Sequence, residues 1–177
     1  MRKYGRLKWL LFGATVLLIL VVAIGGYARN AWQERSVSTT NLTGAEVRGL
    51  SIGGPADRLD ASGLQPNPDY ENRTERGKTY RYYDGLMLVS DESTGKVTKI
   101  QLISETVKAS INGKPLKTLE DADRELGNEY VKKPYNHEQG LDARVYYDKE
   151  NRIRATLVYP KQDAENRGIV WTILERY

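Results

Sequence analysis

Twenty consecutive residues, Trp9–Ala28, carry no charge. As a helix rising about 1.5 Å per residue, such a run reaches about 30 Å, the thickness of a bilayer's hydrocarbon core. No polar face interrupts it, which argues against a helix half-buried in a soluble core. The segment MRKYGRLK ahead of it holds four basic residues, whereas Arg29 and Arg35 behind it are partly offset by Glu34. The positive-inside bias therefore predicts a single-pass cell-membrane protein, N-terminus in the cytoplasm and residues 30–177 outside. A cleavable signal peptide is the rival reading. Against it, the run is longer than a usual apolar signal region and no sharp A-x-A site stands out.

The same end of the chain explains the basic character of the whole. Net charge is +4 with a pI near 9.2. Residues 1–35 hold six of the 27 Lys and Arg but one of the 23 Asp and Glu. The rest of the chain is close to neutral, so no concentrated basic face and no nucleic-acid partner is expected. The chain has no cysteine, which excludes disulfides, thiolate metal ligands, a Cys nucleophile and a lipidated Cys.

Beyond a stub (1–8), a span (9–28) and a polar linker (29–45), hydrophobic periodicity sets in. EVRGLSI reads as extended. PADRLDASGL reads as a helix with Pro55 in its first turn and Gly63 as its stop. The polar stretch QPNPDYENRTERGK reads as a loop, and YRYYDGLMLVSD with KVTKIQLIS as a β-hairpin turning at ESTG. The order then recurs. VKASING is extended, and KPLKTLEDADRELG is an amphipathic helix with Leu116, Leu119 and Leu126 as its stripe and Gly127 as its stop. VKKPYNHEQG is a loop, LDARVYYD and RIRATLVYP form a second hairpin, and RGIVWTILERY is a last strand with Trp171 on its better-packed face. The predicted class is α+β: an N-terminal transmembrane helix, then two tandem helix-plus-β-hairpin repeats (46–104 and 105–177). Together the repeats would form a mostly antiparallel sheet with helices on one face.

SIGGPADRLDASGL, YRYYDGL and GKVTKIQL in the first half, answered by SINGKPLKTLEDADRELG and GLDARVYYD in the second, resemble the small repeat of the SmpA/OmlA family. They are also similar to the β-lactamase-inhibitor-protein-like fold and to exported Bacillus-type proteins built from such repeats. The resemblance covers about residues 46–160. It implies a binding or assembly module of the cell envelope rather than an enzyme. The lipobox of SmpA/OmlA has no counterpart here.

Chemistry-bearing residues are sparse. His137 is the only histidine, beside Glu138 in a loop, and no G-x-S-x-G or S-x-x-K element supplies a serine for it to activate. Glu120, Asp121, Asp123, Glu125 and Glu129 share faces of the second helix and read as a solvated flank opposite the Leu stripe. Asp91–Gly95 lacks calcium-loop spacing and reads as a hairpin turn. Gly53-Gly54 reads as a tight turn rather than an anion cradle. No catalytic residue, metal site or cofactor is expected. The binding candidates are Tyr80, Tyr82, Tyr83, Tyr146 and Tyr147. In Y-R-Y-Y and V-Y-Y-D, neighbouring tyrosines point to opposite faces of a strand, so one of each pair should leave the core and offer a protein- or glycan-binding surface. The expected function is a membrane-anchored, extracytoplasmic, non-catalytic binding or assembly module, held to the membrane by its N-terminal helix and touching another envelope protein or a wall component. The alternatives are a wall-acting hydrolase using carboxylate chemistry, or a regulatory subunit acting through its transmembrane helix.

Overall fold

The computed structural model describes residues 32–58, 63–104, 107–162 and 168–177. The chain divides into two units, Met1–Val37 and Ser38–Tyr177. In the first, residues 32–35 are helical and Ser36 N–H donates to the Trp32 carbonyl at 3.0 Å.

Among the described residues the second unit has twelve strands and one α-helix. In chain order they are β1 (Ala45–Val47), β2 (Leu50–Ser51), β3 (Arg73–Glu75), β4 (Lys78–Tyr83), β5 (Leu86–Asp91), β6 (Val97–Leu102), β7 (Ser110–Ile111) and β8 (Lys114–Pro115). The order continues with α1 (Leu119–Leu126), β9 (Val131–Asn136), β10 (Leu141–Asp148), β11 (Ile153–Pro160) and β12 (Trp171–Arg176). Eight strands form one antiparallel sheet in the order β3-β4-β5-β6-β12-β11-β10-β9, and four short ones form a second, β2-β1-β7-β8. β12 closes the large sheet by pairing β6 on one side and β11 on the other.

Alternation along each strand sorts the large sheet into two faces. Tyr83, Leu86, Leu88, Ile100, Leu102, Leu174, Leu157, Ala155 and Tyr146 point into one core. Val47, Leu50 and Ile111 of the small sheet, together with Leu119, Ala122 and Leu126 of α1, complete that core. Each fully buried leucine contributes about 1.5–3 kcal/mol relative to exposure. α1 starts where Thr118 accepts from the Asp121 N–H and Asp121 returns the bond to Thr118, a capping box. It stops at Gly127, whose N–H donates to the Asp123 carbonyl.

Several expectations are corrected. The α+β class gives way to a mostly antiparallel β fold in which α1, eight residues long, is the main helix among the described residues. The first expected helix is a 3-10 turn over residues 56–58, with 59–62 outside the described residues. Backbone bonds are the reason. Ala56 N–H donates to Gly95 and Val97 N–H to Gly54, pinning this stretch to the β5–β6 turn. Two matching helix-plus-hairpin repeats therefore do not form, and the strands of both halves merge into a single eight-stranded sheet. The single-pass membrane localisation is withdrawn as well: among the described residues no helix is long and apolar enough to cross a membrane. A span needs about twenty apolar residues, α1 has eight, and Trp9–Ala28 lies outside the described residues.

The two predicted loops also contain strands. β3 lies within 65–78 and β9 within 131–140. Both are edges of the large sheet, where one ladder suffices and polar residues or Pro134 are tolerated, so no apolar alternation marks them. β1–β2, β3–β4 and β7–β8 turn through Arg48-Gly49, Arg76-Gly77 and Asn112-Gly113. All six residues have positive φ, as the twist of a two-residue hairpin requires. Trp171 is half-buried on the face away from Leu174, not in the main core.

Candidate functional site

The predicted tyrosines divide between the faces. Tyr83 and Tyr146 belong to the core. Tyr80 and Tyr82 leave it on the outer face of β4, both half-buried. Tyr147 also points to the outer face but is only 4 % exposed. Its ring meets Tyr177 edge-on with centroids 5.6 Å apart.

Strand register arranges that outer face in rows. One row runs Tyr82, Met87, Gln101, Ile173, Thr156, Val145 across six adjacent strands. The next runs Tyr80, Val89, Lys99, Glu175, Arg154, Tyr147. A third joins Trp171, Val158, Ala143 and Lys133. Tyr82 stacks on Tyr70 at 5.3 Å, Arg73 lies 5.2 Å over the Tyr80 ring, and Tyr135 meets Trp171 edge-on at 5.8 Å. Arg154 Nη2 pairs with Glu175 Oε1 at 2.6 Å. Lys133, half-buried on the same face, has its ammonium pulled below its ordinary pKa first by burial and then by Arg154, with Glu175 acting the other way. The sequence named the tyrosines of this face but not Met87, Lys99, Lys133, Arg154, Trp171 or Glu175. Those residues become neighbours only through inter-strand register, which no local pattern reveals.

On the core face, β10 carries a buried polar line. Arg144 pairs with Asp123 of α1 and lies 4.3 Å over the Tyr130 ring. The Tyr146 hydroxyl beside it is buried without a hydrogen-bond partner among the described residues. Burial pushes its pKa up to about 12, with Arg144 opposing. Asp148, 1 % exposed, accepts from Leu42 N–H at 2.9 Å and from Asn151 N–H at 2.9 Å. Burial alone would raise this carboxyl, but those bonds outweigh it and hold the pKa below the ordinary value. Leu42 itself, in the expected linker, is thereby fixed in the core.

The other chemistry-bearing residues are absorbed by structure. Asp121 caps α1 and meets Arg124 at 2.5 Å, Glu125 meets Lys114 at 3.0 Å, and Glu129 accepts from Ser38 N–H at 3.4 Å. Glu120 is exposed. His137 sits exposed in the β9–β10 turn, which Asn136 closes by accepting from the Glu138 and Gln139 N–H groups. Asp91 accepts from Ser93 and Thr94, bonds that hold its carboxyl below the ordinary range and shape the β5–β6 turn. Gly53 and Gly54 donate their N–H groups to Val97 and Ser51, so neither is directed at an anion. Among the described residues no group of three His, Asp or Glu is placed to hold a metal ion.

No protein-family model matches this chain. No curated protein matches it. Among solved structures it is similar to an extracellular protein containing a SCP domain from Bacillus anthracis, with 13% identity and a TM-score of 0.40. The alignment covers 71% of this chain and 44% of that one, so the chain spans less than half of that structure's length.

Proposed function

We propose that residues 38–177 form a non-catalytic module that binds another protein through the outer face of the eight-stranded sheet. The observation that carries this reading is the half-burial of Tyr80, Tyr82, Met87 and Trp171 on that face. Aromatic rings with an apolar body and a polar tip suit protein contacts, because they desolvate at little entropic cost. Asp91, Asp121, Asp123, Glu125 and Glu129 are each tied to a turn, a cap, an ion pair or a backbone N–H, which favours binding over carboxylate catalysis.

Site-specific photocrosslinking tests the proposal. A benzophenone amino acid placed at Tyr82 should give a discrete protein adduct in cells, while the same probe at Glu120, on the α1 side, should not. Adducts only from Glu120, or equal adducts from both positions, would refute it. Capture of a wall polymer in place of a protein would refute the choice of partner.

A further inference from the structure

The outer face has a charge character that the near-neutral composition of the domain conceals. Arg73 on the edge strand β3, Lys99 and Arg154 on the inner strands, and Lys133 on the edge strand β9 share its rows with one carboxylate, Glu175. Glu175 is already engaged by Arg154 through two bonds, at 3.1 and 2.6 Å. Among the described residues neither Lys99 nor Lys133 forms a salt bridge. Glu75, Lys78 and Asp91 lie in register with one another near the β3–β4 turn, two carboxylates against one ammonium, and leave the cations of the face in excess. Between Tyr80 and Tyr147, the two ends of one row, stand Lys99 and Arg154 against Glu175, while Arg73 and Lys133 add cations on the edge strands β3 and β9, so the excess is spread across the face.

We infer that the segment recognised by this face is an extended acidic peptide, its carboxylates meeting Lys99 and Lys133 while apolar or aromatic side chains lie on Tyr82 and Trp171. This rests on the protein-binding reading above and names the partner's chemistry. Two observations support it. A cation half removed from water beside another cation gains most from an added carboxylate, and Lys133, next to Arg154, is in that situation. The two lysines also lie on opposite sides of the β12–β11–β10 strands, so a segment crossing the face would meet both.

The test uses the full chain and a short fluorescein-labelled peptide alternating Glu with Tyr, with a Lys–Tyr peptide as its charge-reversed counterpart. Anisotropy should show saturable binding of the Glu–Tyr peptide alone, weakening as salt is raised. Lys133→Gln and Lys99→Gln should each weaken it about tenfold, a change of about 1.4 kcal/mol. Lys96→Gln, at the exposed β5–β6 turn, should leave it unchanged. Equal binding of both peptides, or unchanged binding by folded Lys99→Gln and Lys133→Gln variants, overturns the inference. If Tyr82 still crosslinks a protein partner under that outcome, only the acidic assignment falls. If Tyr82 gives no adduct either, the binding face falls with it.

Discussion

β4 and β10 occupy equivalent places, each next to an edge of the eight-stranded sheet, and each carries a Tyr-Tyr pair. Their fates differ. In β4, Tyr83 enters the core while Tyr82 stays half-buried, covered on one side by Tyr70, which is itself 57 % exposed. In β10, Tyr146 and Tyr147 are both buried. The neighbours make the difference. β3 beside β4 is three exposed residues, whereas β9 beside β10 runs six. Tyr177 and Arg154 also crowd Tyr147 from the outer side. One half of the sheet therefore holds its tyrosines as structure, and the other leaves them available for contact.

The sharpest way to break this contrast is to truncate the buried member. Tyr146→Ala should cost about 3–5 kcal/mol, as expected for a large ring removed from a closed core, read as a shift of the urea midpoint. Tyr146→Phe should cost far less, because the buried hydroxyl it removes meets no hydrogen-bond geometry and has only the neighbouring Arg144 charge to lose. Next in size, Arg144→Met should cost about 2 kcal/mol by stranding Asp123. This is below the value for a fully buried pair because the Asp123 side chain is 33% exposed. A double-mutant cycle with Asp123→Asn should recover part of that loss.

Asp148, next to Tyr147, gives a pH-dependent test on the same side. Asp148→Asn should cost about 1–2 kcal/mol at neutral pH, by weakening the bonds from Leu42 and Asn151. The folded pKa lies below the ordinary one, so the carboxylate's contribution is complete above the unfolded value of about 3.9 and is lost as pH falls through the folded value. The gap between wild type and Asp148→Asn should therefore close in acid, measured as midpoints from pH 7 downward. The smallest stability effect belongs to the other half. Tyr82→Ser should change the midpoint by less than about 1 kcal/mol yet abolish protein adducts formed from a probe at Tyr80. A loss of stability at Tyr82 equal to that at Tyr146 would erase the distinction between the two pairs.

Part of this was legible locally. The hairpin at ESTG and the one joining LDARVYYD to RIRATLVYP, the Leu stripe and the Gly127 stop are all short-range signals, and α1, β5–β6 and β10–β11 lie where they point. β3 and β9 were not legible. A polar edge strand satisfies half its backbone groups and needs no apolar side, so its residues look like loop. Trp171 was assigned to the better-packed side of its strand from the alternation of β-branched and aromatic residues in RGIVWTILERY. The register of β12 between β6 and β11 sends Leu174 inward and Trp171 out.

By itself the sequence determined the near-neutral charge beyond residue 35, the exclusion of cysteine chemistry, and the alternation that sends adjacent tyrosines to opposite faces. These come from residue counts and from the two-residue repeat of a strand. Tertiary structure alone decided which tyrosines were then covered, and that Lys99, Lys133, Arg154 and Glu175 share one face. Residues 99, 133, 154 and 175 are brought together by hydrogen-bonded register between strands distant in the chain, a long-range choice that no local sequence pattern encodes.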